Sequence, residues 1–309
     1  MSFTNAVTVS SSTGASLSVR WVTPKNASRA IVHINHGLAE HSIRYAHFAE
    51  SLTKDGFAVV AHDHRGHGFT IAPNAPHGVF SLAGDGVDLV MEDCGAVQKF
   101  ALEEVGSVPV IMFGHSMGGL ITMNYALRYP QELAGAAVWN ANFSGGILGR
   151  LGQMLLAFER FRLGSDVPSR IMPKLTFADW AKKIPARRTE FDWLSHIEAQ
   201  VDAYIADPAC GWDASVSLWQ DIFKMVFAGG ALNNLKKDVR DLPFMLVGGG
   251  QDPATFNGKA VMQKADALKK AGVTSVNHHH FETARHETLN DLDADRATNA
   301  FKEWMSIHL

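Results

Sequence analysis

The chain has 309 residues, 46% hydrophobic and 19% charged, a globular composition long enough to bury one large core or a core with an insertion. A formal net charge of −3 with mixed signs offers no basic face for nucleic acid. Its two cysteines, Cys94 and Cys210, cannot build a disulfide framework and sit in no metal motif, so buried free thiols are expected.

In chain order, residues 1–5 show neither the basic nor the apolar region of a signal peptide. No run reaches the ~18 apolar residues of a spanning helix, and the expectation is a soluble cytoplasmic protein. Residues 16–22 alternate apolar and polar and read as a strand, while 30–34 and 57–61 are compact runs of the buried-strand kind. Between the last two, residues 42–54 have helical spacing, closed by Asp55-Gly56. The pattern then predicts a helix near 81–104, a strand over 108–113, a helix over 120–128 that stops before Pro130, and a strand over 134–139. Further strands are predicted at 243–247 and 275–281, ahead of a terminal helix. Strands alternating with helices mean βαβ units and a mostly parallel sheet, an α/β architecture. From 143 to 235 the strand rhythm is lost and the sequence turns helical. Residues 1–142 and 236–309 are therefore expected to form one core, with 143–235 inserted as a helical cap over the sheet.

Gly114-His115-Ser116-Met117-Gly118-Gly119 follows a predicted strand and opens a helix. In that context Gly-x-Ser-x-Gly places a nucleophilic serine on a sharp, strained turn, which only neighbours without side chains allow. The helix N-terminus behind it aims free N–H groups at developing negative charge.

A serine hydroxyl needs a base to activate it and a carboxylate to orient the base. With this elbow, the acid and then the histidine follow later in the chain. Asp252 is the candidate acid, because Val247-Gly248-Gly249-Gly250-Gln251-Asp252 runs out of a strand into a loop. Asp238 and Asp241 precede that strand and would sit at its opposite end. His286 is the candidate base, between the last strand and the terminal helix. His278, His279 and His280 fall inside the strand, where alternate residues face opposite sides. The loop His36-Gly37-Leu38-Ala39-Glu40-His41 is the expected source of a second oxyanion donor, so the backbone N–H groups of Leu38 and Met117 are the candidate oxyanion hole.

These residues carry a resemblance. His36-Gly37-Leu38-Ala39-Glu40-His41-Ser42 with Arg44-Tyr45, Asp63-His64-Arg65-Gly66-His67-Gly68, the Ser116 elbow and Arg285-His286-Glu287 together resemble the monoacylglycerol lipase and lysophospholipase branch of the α/β-hydrolases. The resemblance implies an α/β-hydrolase core with a helical cap after the sixth strand, the same three catalytic residues and the same oxyanion donors. Ala254 stands where many members of that branch carry Val, a departure that leaves Asp252 in place.

His62-Asp63-His64-Arg65-Gly66-His67 looks like a metal loop, but Gly66 stands where an aspartate would be and no distant set completes a site. It is expected to be a loop in which Asp63 and Arg65 satisfy backbone and each other. Gly248-Gly249-Gly250 lacks dinucleotide spacing, so no cofactor is expected. Ile147, Leu151, Met154, Leu155, Phe158 and Phe161 recur at helical spacing, expected to pack on the core. The other reading makes them an acyl-chain wall or a surface for transient membrane contact.

The expected partner is a small acyl ester, and the resemblance points to a single-chain lipid, monoacylglycerol or lysophospholipid. A carboxylesterase for small or aromatic esters and a non-catalytic receptor on the same fold remain alternatives. Dehalogenase and epoxide hydrolase chemistry is disfavoured, because those relatives place aspartate at the elbow.

Overall fold

The computed structural model describes residues 3–309. Eight strands form one sheet in the order β1-β2-β4-β3-β5-β6-β7-β8. They are β1 (Ala6–Ser10), β2 (Ser16–Val22), β3 (Ile31–Asn35), β4 (Ala58–His62), β5 (Val110–His115), β6 (Gly135–Trp139), β7 (Phe244–Gly249) and β8 (Val276–Phe281). β1 pairs antiparallel with β2, and β2 antiparallel with β4; every pairing from β4 through β8 is parallel. The parallel strands therefore end at one edge, where ligand-binding loops of open α/β sheets gather. β1, which the sequence reading missed, is short and half-exposed, so its apolar signal is weak.

Helices cover both faces. α1 (Ala46–Lys54) and α11 (Ala294–His308) lie on one, where Phe48, Phe113, Trp139 and Phe301 pack ring against ring. Each such buried side chain contributes about 1.5–3 kcal/mol. α2 (Gly86–Val105), α3 (Met117–Arg128) and α10 (Lys259–Lys270) cover the other. α2 begins later than the pattern suggested, because the Asp85 side chain accepts from the Val87 and Asp88 amides and caps the helix there.

Residues 143–235 add helices and no strand to the sheet. They hold α4 (Gly146–Leu163), α5 (Met172–Leu175), α6 (Phe177–Lys182), α7 (Glu198–Ala206) and α8 (Val216–Gly230); α9 (Lys237–Asp241) then leads into β7. The expectation that the α4 apolar row packs on the core is overturned. Gly149, Gly152, Leu156 and Glu159 face inward, while Ile147 is 80% and Phe161 88% exposed. Two of these four inward positions are glycines, because Phe223 and Phe227 of α8 press in there, within 2.7 Å and 3.1 Å of where Cβ atoms of Gly152 and Gly149 would stand.

Candidate active site

β5 runs into the elbow and α3 leaves it. Ser116 between them has φ 54° and ψ −116°, a strained conformation for a non-glycine residue. The turn is possible only because the chain crowds glycine on both sides. A Cβ on Gly118 would stand 2.0 Å from the Asn35 carbonyl oxygen, and one on Gly114 2.0 Å from that of Gly118. The Ser116 amide is tied to the Trp139 carbonyl on β6 at 2.9 Å.

The hydroxyl that this turn presents lies 3.0 Å from His286 Nε2. On the other side of the ring, Nδ1 donates to Asp252 Oδ1 at 3.0 Å. His286 and Asp252 are both buried, far apart in sequence, and brought together by the loops after β8 and β7. Three groups in line at these distances can move a proton off a serine hydroxyl.

Asp252 is held by more than the histidine. Asn140 Nδ2 and the Thr255 hydroxyl donate to its Oδ2 at 3.1 Å and 2.7 Å, and the Ala254 amide donates to Oδ1 at 2.9 Å. Burial alone would raise its pKa, but His286 and these donors outweigh it and keep the carboxyl below its ordinary value. The sequence reading missed Asn140 and Thr255 as partners. Asn140 sits at the end of β6 with φ 50°, and nothing local marks its use.

Leu38 and Met117 line the same cavity as Ser116 and His286. Met117 is the first residue of α3, so its N–H has no partner within the helix. The Leu38 loop is braced from both sides. Glu40 Oε1 accepts the Gly37 amide at 2.5 Å, and the Ala39 carbonyl accepts from the Gly211 amide and the Tyr204 hydroxyl, each at 3.0 Å. Gly211 and Tyr204 belong to the 143–235 segment, and so do Trp193 and Leu194, whose carbonyls take the amides of His286 and Glu287 at 3.3 Å and 2.8 Å. The 143–235 segment therefore touches both the Leu38 loop and the His286 loop.

Glu40 is the hub of a buried charge network. Arg44 donates to it at 2.6 Å, the Tyr45 hydroxyl at 2.9 Å, and His115 Nδ1 approaches at 3.5 Å. Burial would raise the Glu40 pKa, yet Arg44 and His115 hold it well below the usual carboxylate range. His115 in turn donates from Nε2 to the His286 carbonyl at 3.0 Å. Burial pulls its pKa down, but Glu40 and that carbonyl prevail and raise it above the ordinary imidazole value.

The other sequence candidates fall as follows. Asp238 and Asp241 lie in α9, ahead of β7, and His278, His279 and His280 lie within β8. Asp63 and Arg65 do not pair with each other. Asp63 accepts from the Ser42 hydroxyl and amide and from the Phe69 amide, while Arg65 reaches across to Asp93 of α2 at 2.8 Å.

The cavity above Ser116 has a volume of about 450 Å³. Its floor is Leu38, Ser116, Met117 and His286, and Met172, Phe177, Trp193, Trp219 and Phe223, all from residues 143–235, wall it. Among the described residues, no helix is long and apolar enough to cross a membrane.

Residues 26–293 match the family described as serine aminopeptidase, S33. A monoacylglycerol lipase of Mycolicibacterium smegmatis is 32% identical over 196 residues, covering 60% of this chain and 58% of that enzyme, less than two thirds of its length. A monoglyceride lipase of Rattus norvegicus is 27% identical over 249 residues, 77% of this chain and 70% of that enzyme. Among solved structures, a thermostable carboxyl esterase from Bacillus coagulans has a TM-score of 0.85 at 23% identity, over 99% of this chain and 98% of that one. That likeness shows the α/β-hydrolase fold. With a match running from before β3 to the start of α11, the chain belongs to the serine aminopeptidase, S33, family of serine hydrolases.

Proposed function

We propose that this enzyme hydrolyses carboxylic esters of single-chain lipids, monoacylglycerol or lysophospholipid, through an acyl-enzyme on Ser116. Ser116 attacks the ester carbonyl, His286 takes its proton and passes it to the leaving alcohol, and Asp252 orients the imidazole and stabilises its cation. The amides of Leu38 and Met117 receive the oxyanion, and a water then releases the fatty acid. Residues 143–235 act as the cap.

The observation that carries this reading is the cavity. It opens on Ser116, its walls are apolar and aromatic, and about 450 Å³ falls within the ~300–1,000 Å³ of sites that enclose small ligands. One acyl chain suits such a space better than a lipid with two or three. The relatives named as monoacylglycerol and monoglyceride lipases support the same substrate class. A receptor would not need a serine, an imidazole and a carboxylate in hydrogen-bond contact.

The test is a series of p-nitrophenyl esters from short to long acyl chains, alongside a monoacylglycerol and a lysophospholipid. Rising kcat/KM with chain length, and turnover of either lipid, is expected. Activity confined to short or aromatic esters would shift the assignment to a general carboxylesterase. Trp180 and Trp193 favour that second reading, since their rings stand 6.3 Å and 5.0 Å from His286 and could grip an aromatic acid or alcohol.

The exposed α4 row suits transient contact with a membrane surface. Ile147, Leu148, Phe158 and Phe161 stand beside exposed Arg150, Arg160 and Arg162, while the one acid of that helix, Glu159, is buried and bound to Ser169. An apolar and cationic face matches an anionic lipid surface. The free thiols Cys94 and Cys210 fit a cytoplasmic setting.

A further inference from the structure

Behind the Leu38 loop the fold gathers five histidines that the proposed chemistry does not use. His33, His36, His62, His64 and His67 are all buried, with neighbouring ring centroids 4.3–6.4 Å apart. A buried imidazole normally finds partners for both nitrogens, and one that does not calls for an explanation. His64 has none for either nitrogen, and both are closed to solvent. The sequence offered no distant residue to complete a metal set around this loop. The fold supplies one: Cys94, from the middle of α2, points at the end of β4.

We propose that His62, His64 and Cys94 form a site for a soft metal ion, with Cu(I) the ion it fits best. One ligand atom from each of the three lies within 4.8 Å of the others. Metal–ligand bonds of about 2.0–2.3 Å put ligand atoms roughly 3.5–4 Å apart, so a contraction of at most roughly 1.3 Å closes the set. The donors are two imidazoles and a thiol, the combination that selects Cu(I) or Zn(II) over hard ions.

Charge then chooses between the two ions. Coordination forms a metal–sulfur bond and breaks the S–H bond of Cys94, which now donates to Asn35 Oδ1 across 3.5 Å; the proton leaves to water. Cu(I) with one thiolate is neutral, whereas Zn(II) leaves a net positive charge in a dry site, a costly arrangement without an anion beside it. The two carboxylates that act on His62 are committed elsewhere: Asp93 binds Arg65, and Asp63 binds Ser42 and the Phe69 amide. A bound ion would clamp β4 to α2 next to Asn35, whose side chain also reaches Thr122 of α3. It is a structural clamp behind the elbow, apart from the reacting atoms.

The test is to produce the chain in copper-supplemented cells, so that the ion is present during folding. The purified protein is then challenged anaerobically with a Cu(I) chelator before copper is counted. One copper per chain is expected in the wild type and in Cys210→Ser, with less than a tenth of that in Cys94→Ser and His64→Gln. Ester hydrolysis and circular dichroism report whether each variant is folded, and either loss variant suffices if the other is not. Copper retained by folded Cys94→Ser, lost from Cys210→Ser, or absent from the wild type would overturn the site. Copper held instead at His278–His280 of β8 would appear as the first of these outcomes.

Discussion

Arg44 grips Glu287, the neighbour of His286, through both guanidinium nitrogens at 2.5 Å and 2.7 Å, and it reaches Glu40 at 2.6 Å. Glu40 in turn holds the Gly37 amide, one residue before Leu38. One buried cation thus links the loop of His286 to the loop of Leu38, the proposed base and oxyanion donor. Removing it leaves two buried carboxylates short of a partner, which costs about 3–5 kcal/mol. Arg44→Gln should therefore lower the Tm, and kcat should fall by tenfold or more with a smaller change in KM. Arg44→Lys should recover only part of this, because an ammonium cannot fork. Calorimetry with steady-state kinetics checks both; a folded Arg44→Gln enzyme with unchanged kcat would show that the bridge positions nothing.

The buried histidines make the fold sensitive to acid. Burial pushes His33, His62 and His67 down from 6.5 to about 3. A group depressed in the folded state gives stability that is complete above its unfolded pKa and is lost as pH falls toward the folded one. The window runs from about 6.5 down to about 3, and stability should drop by up to about 1.4 kcal/mol per pH unit for each histidine. His115, whose pKa is raised, works in the opposite sense, but it stands against His33, His36, His62, His64 and His67, all lowered by burial. Urea unfolding should show a clearly lower midpoint at pH 5 than at pH 7, and equal midpoints would contradict the burial of neutral rings.

The α4 face should matter for surfaces and not for chemistry. Changing Ile147, Leu148 and Phe161 to Ser removes exposed apolar area without touching the cavity lining. Sedimentation with anionic vesicles should fall severalfold, while kcat/KM for a soluble short-chain p-nitrophenyl ester stays within about twofold, as for exposed substitutions in general. Undiminished vesicle binding would remove the membrane role from this helix.

What the sequence could show was local. The elbow was legible because the turn forces Gly114 and Gly118, and Asp252 and His286 because each follows a recognisable strand. Partners were not legible wherever they come from far along the chain. Asn140 and Thr255 on Asp252, Arg65 on Asp93 rather than Asp63, and Cys94 against His62 and His64 all depend on which strands, loops and helices lie side by side. The α4 row misled for a related reason. Helical spacing shows that one face is apolar, but here Gly149 and Gly152 pack inward against α8 and leave the larger side chains outside. Strand β1 was missed because five half-exposed residues carry little periodic signal.

The most direct measurement is kcat/KM for one monoacylglycerol with the wild type and with Ser116→Ala. The Ser116 hydroxyl lies 3.0 Å from His286 Nε2, so losing it removes the proposed nucleophile with the smallest change to the elbow. A fall of at least about 10³-fold is expected, with an unchanged Tm. A Ser116→Ala enzyme that still turns over the lipid at the wild-type rate would contradict the role of this serine and, with it, the acyl-enzyme.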